Sequence, residues 1–94
     1  MGASALRNIT ALLESEHTLK SLRSREHQQL CRGIAQARAD AGLTQRELAI
    51  RLKRTHSFIG KIESGERRLD VVEFVEIARA LKLDASQLLS RIYK

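Results

Sequence analysis

His56, Ser57 and Lys61 fall on the side of a short helical segment that its apolar residues, Ile59 and Ile62, leave free. Lysine donates hydrogen bonds, a serine hydroxyl donates or accepts, and histidine does either according to its tautomer. These groups suit the edge of a base pair: an ammonium can donate to guanine O6 and N7, and each good contact discriminates by about 1–3 kcal/mol. Gly60 stands among them, although glycine costs about 1 kcal/mol relative to alanine inside a helix. Its place there makes sense where another backbone or a duplex comes close. Arg46, Lys53, Arg54, Arg67 and Arg68 surround this face. They would supply position and salt-dependent affinity by displacing counterions from phosphates.

Other chemistries find little support. His17, His27 and His56 lie far apart on different expected helices, and no metal-ligand spacing or phosphate-cradling glycine loop occurs. No catalytic residue, metal or cofactor is therefore assigned, and the chain is not read as an enzyme. The single Cys31 cannot form an internal disulfide and reads as a small core residue, which fits a reducing compartment. No apolar run approaches the roughly 20 residues of a membrane span, and the N-terminus lacks the pattern of a signal peptide. The expectation is a cytoplasmic protein with no membrane partner.

The elements that must position this face are helices. A chain of 94 residues builds one core, and 43% hydrophobic but only 3% aromatic residues, without proline, favour an all-α bundle. Seventeen basic residues against 11 acidic ones give a net charge of +6, which predisposes the domain to a polyanion. The excess is local. Residues 44–68 carry a net charge of +4, residues 69–94 carry none, and residues 1–43 hold the remaining +2.

Residues 1–23 read as an N-terminal extension. Ala5, Leu6, Ile9, Leu12 and Leu13 follow Ser4 at helical spacing, so an amphipathic helix near 5–14 is expected, docked on the domain or paired with another chain. The domain proper is 24–94. Its first helix starts at Ser24, carries Leu30, Ile34, Ala37 and Arg38 on one stripe, and stops at Gly42. Thr44 and Glu47 form a capping box that opens a second helix at Gln45, with Leu48, Ala49 and Leu52 inward. Arg51 can pair with Glu47 one turn earlier. Lys53 and Arg54 make the turn, and Thr55 caps a third helix that ends at Gly65. Asp70 with Glu73 opens a fourth helix, with Val71, Phe74, Val75, Ala78 and Leu81 inward. Asp84 caps a fifth, where Leu88, Leu89, Ile92 and Tyr93 outnumber what so small a chain can cover and are read as a dimer interface.

The runs GLTQRELAIRL, THSFIGKIESGERRLD and VVEFVEIARAL together resemble the lambda-repressor-like, Cro/cI-type helix-turn-helix family, also called the xenobiotic response element (XRE) family. The resemblance covers roughly residues 27–90. It implies a compact five-helix DNA-binding domain with its helix-turn-helix unit at 44–65 and a recognition helix at about 55–64 in the major groove. It also implies a bacterial transcriptional regulator, a repressor on a palindromic operator, bound as a homodimer. His56, Ser57 and Lys61 match base-reading positions, and Gln45 matches a phosphate-touching one. Arg67 and Arg68 lie in a loop that touches phosphates, and Thr55 joins the phosphate set. Phe58 is unusual at its position and either meets a thymine methyl or covers the domain's own surface. Lys53 and Lys82 stand where many members have glycine, so the turn at Lys53 is expected to differ slightly. The alternative is an antitoxin or co-regulator module whose main role is protein contact, with the N-terminal segment binding a protein partner.

Overall fold

The computed structural model describes residues 24–94. The helix expected near 5–14, with the rest of the extension, lies outside the described residues. Those described form five α-helices and no strand: α1 (Arg25–Asp40), α2 (Gln45–Leu52), α3 (His56–Ser64), α4 (Val71–Ala80) and α5 (Ala85–Ile92).

Local chemistry sets each start. The Ser24 hydroxyl accepts from the His27 amide at 3.0 Å, and Thr55 accepts from the Phe58 amide at 3.2 Å. Thr44 with Glu47, Asp70 with Glu73, and Asp84 with Gln87 form reciprocal capping boxes, so every first turn has amides satisfied by side chains.

The stops hold a correction. Gly65 closes α3 in the left-handed region at φ 86°, where a side chain would be strained. Lys53 and Lys82 take the same conformation at φ 56° and 61°. The expected departure at the Lys53 turn does not occur. After α2, the Lys53 amide reaches the Ile50 carbonyl at 3.1 Å and the Arg54 amide reaches Ala49 at 2.9 Å. After α4, Lys82 reaches Arg79 at 2.9 Å and Leu83 reaches Ala78 at 2.9 Å. In both turns the backbone bonds outweigh a side-chain penalty of about 1 kcal/mol.

Ile34, Leu48, Ile59, Ile62, Ile77 and Leu88 bring all five helices into one core of fully buried side chains. Val71, expected inward, is instead 78% exposed. As the first residue after the Asp70 cap it faces solvent, and Ile77 takes the central place on α4. Arg51 does not need Glu47: its guanidinium donates to the Ala80 carbonyl at 3.0 Å and ties α2 to the end of α4. The far end of the bundle closes where α5 crosses α1. A Cβ on Gly33 would lie 2.4 Å from Ile92 Cγ1, so only glycine admits the buried isoleucine. Gln29 donates to the Ile92 carbonyl at 2.7 Å and the Tyr93 hydroxyl donates to the Glu26 carbonyl at 2.5 Å.

Candidate nucleic-acid interface

The α2 and α3 helices meet over Leu48, Ala49, Ile59 and Ile62, which leaves His56, Ser57 and Lys61 exposed on the outer side of α3. A line of polar contacts runs beneath that face. Arg38 on α1 grips Glu63 through Nε at 2.6 Å and Nη2 at 3.0 Å, and its Nη1 donates to the Leu43 carbonyl at 2.6 Å. The Glu63 carboxylate also accepts from Gln45 Nε2 at 2.9 Å, and Gln45 Oε1 lies 3.2 Å from His56 Nε2. The Glu63 contact raises the affinity of the Arg38 guanidinium for its proton. Arg38 sits on an otherwise apolar stripe, a position that called for an ionic partner in the sequence. Which acid supplied it was not visible, because Glu63 is 25 residues away.

Gln45 therefore serves first as a brace. One amide hydrogen goes to Glu63, and the other has no acceptor among the described residues. Gly60 packs beside it: a Cβ there would come 3.7 Å from Gln45 Oε1, an ordinary contact, so the fold itself does not require glycine at this position.

Phe58 is drawn inward. Its half-buried ring packs against the core, with the Arg54 guanidinium 4.7 Å and the Arg67 guanidinium 4.8 Å from its centroid. Of the two readings of Phe58, the arrangement favours cover for the domain's own surface, with two cations held on its ring. Arg67 also donates to both oxygens of Glu73, at 2.9 and 2.7 Å. Glu73 is only 7% exposed, and the Arg67 hydrogen bonds hold its carboxyl below the usual carboxylate range. The sequence identified Glu73 only as a cap, so this second role was missed; the adjacent Arg67-Arg68 pair was its one local signal.

Among the other cations, Arg54 lies 3.8 Å from Glu76 in an open surface pair. Arg46, Lys53, Lys61 and Arg68 are exposed and make no ion pair among the described residues. They leave free positive charge around α3 and its flanking turns. The Thr55 hydroxyl accepts as a cap and keeps its own hydrogen to donate.

The four residues read as a dimer interface separate into two pairs. Leu88 and Ile92 are 0% and 6% exposed and belong to the protomer's own core, because α1 and α4 cover the inner side of α5. Leu89 and Tyr93 are 49% and 37% exposed and border an apolar groove with Leu30, Val71 and Phe74.

Among the described residues, no three metal-ligating side chains gather, and no helix is long and apolar enough to cross a membrane. Comparison with curated proteins gives no match. A family model described as a helix-turn-helix domain matches residues 17–90. The structure is similar to that of an XRE-family like protein from Pseudomonas syringae pv. tomato str. DC3000, with a TM-score of 0.69 and 42% identity over 82% of this chain and 94% of that one. The clp gene regulator ClgR from Corynebacterium glutamicum shares the fold at a TM-score of 0.66, with 22% identity over 71% of this chain and 87% of that one. With the capped α2–turn–α3 unit and its exposed polar face, these likenesses show that the chain belongs to the XRE family of helix-turn-helix regulators, a family of DNA-binding domains.

Proposed function

We propose that the chain is a bacterial, cytoplasmic repressor that binds a palindromic operator as a homodimer, with α3 in the major groove. The observation that carries this reading is the outer face of α3, where His56, Ser57 and Lys61 are exposed and flanked in the chain by Arg46, Lys53 and Arg68, cations with no ion pair among the described residues. Phosphates would draw Arg46, Lys53, Arg68, Arg54, Thr55 and the remaining amide hydrogen of Gln45, while the α3 side chains choose the sequence. The apolar surface of Val71, Leu89 and Tyr93 supports pairing of two copies, which would set the recognition helices about 34 Å apart, one turn of DNA.

Selection of bound sequences from a random duplex library tests this reading. A two-fold symmetric site is the expected outcome, and no sequence preference at low salt would overturn it. The antitoxin or co-regulator reading draws on the same apolar groove. It would be favoured if the protein bound a protein partner tightly and no duplex selectively.

A further inference from the structure

The contacts beneath α3 assign more than a place to His56. A carboxylate only accepts hydrogen bonds, so Glu63, at 2.9 Å, must meet the NH2 end of the Gln45 amide. The amide oxygen then faces His56 Nε2 at 3.2 Å. An amide oxygen also only accepts, so Nε2 must carry the hydrogen. A neutral imidazole has one N–H, which leaves Nδ1 with a bare lone pair. That nitrogen has no hydrogen-bond partner among the described residues, and His56 is exposed at the first position of α3.

We infer that neutral His56 reads its base as a hydrogen-bond acceptor and selects an exocyclic amine, N6 of adenine or N4 of cytosine, in the major groove. On those edges guanine and thymine offer acceptors and no amine, so two lone pairs would face each other. Glu63 and Gln45 are positioning residues. They fix the polarity of the reading atom from the far end of the same helix, across α2, and Arg38 holds the Glu63 carboxylate in place through two hydrogen bonds. The inference rests on the DNA-binding reading above and sharpens it to one base position.

Two measurements test it at about pH 8, above the range in which imidazole ordinarily titrates. Sequence selection with the wild type and with His56→Ala locates the base pair whose preference collapses in the variant. Adenine or cytosine at that place in the wild-type site is expected. Replacing it with the analogue that lacks the exocyclic amine should weaken wild-type binding about tenfold and leave His56→Ala unaffected. Gln45→Ala should bind duplex but lose preference at that same pair. Guanine or thymine there, a preference unchanged by His56→Ala, or full preference retained in Gln45→Ala overturns the inference while leaving DNA binding intact. Nitrogen NMR of the free protein supplies the second measurement. A protonated Nε2 with a bare Nδ1 is expected, and the opposite tautomer overturns the assignment even if no duplex binds.

Discussion

Arg67 is committed to Glu73 before any phosphate arrives. Its guanidinium donates to both carboxylate oxygens at 2.9 and 2.7 Å, and the same carboxylate accepts the Asp70 amide at 3.0 Å as part of the α4 cap. One buried acid thus joins the loop after α3, the start of α4 and, through Arg67 on the Phe58 ring, α3 itself.

Glu73→Gln should lower stability at neutral pH by about 1–3 kcal/mol, the cost of weakening hydrogen bonds to a charged group. The sign with pH follows from the depressed carboxyl. A carboxyl that ionises more easily folded than unfolded contributes stability above the unfolded Glu range, near 4.3. That contribution is lost as pH falls through the lower folded value. Urea midpoints should converge for wild type and variant in acid; parallel curves would contradict the role given to Arg67.

Neighbouring arginines should differ. Arg68→Ala is expected to weaken binding to all duplexes and reduce the salt slope by about one, with an unchanged melting temperature. Arg67→Ala should instead lower the melting temperature, since it leaves Glu73 buried with a partner removed. Lys61→Ala should relax preference at a single base pair. A melting temperature that ignores Arg67→Ala would show the Glu73 contact to be idle.

Gly60→Ala separates folding from binding. The added methyl meets only an ordinary contact with Gln45, so the variant should gain up to about 1 kcal/mol in stability. Its duplex affinity should fall, because the space above Gly60 is where the groove would approach. Equal affinity would remove the reason given for a glycine in α3.

For the pairing of two copies, Leu89→Asp is the useful change because Leu89 is exposed and the core need not notice it. Sedimentation should show a dimer in the wild type and a monomer in the variant. A wild-type monomer at all concentrations would reject the interface. Ile92→Asp would not serve, since Ile92 is buried against α1 and its loss disrupts the fold.

Much of the architecture was legible because its signals are local. Thr44 with Glu47 and Asp70 with Glu73 declare helix starts within four residues, and Ile59 with Ile62 declares an inner face by spacing alone. Val71 shows where spacing fails. It lies three and four residues before Phe74 and Val75, yet the helix phase is decided by what packs on α4, and that choice favours Ile77. The contacts of Arg38 with Glu63 and of Gln45 with His56 were hidden for the same reason: their partners come from other helices. Periodicity likewise marks Leu88 and Leu89 as apolar without saying which one the protomer covers itself.

Cys31 is the chain's single cysteine, 4% exposed, with Sγ 3.6 Å from His27 Nε2, which in turn lies 3.3 Å from the Gly65 carbonyl that ends α3. Burial pushes the thiol's proton affinity up, so the folded protein withholds both access and thiolate. The molecule therefore carries its own stopwatch. An alkylating reagent can mark Cys31 only while α1 has parted from the end of α3, so the labelling rate times that excursion without an added probe. A duplex that grips α3 should slow the stopwatch in proportion to its occupancy, and a duplex that leaves labelling unchanged would mean that binding does not depend on the closed form.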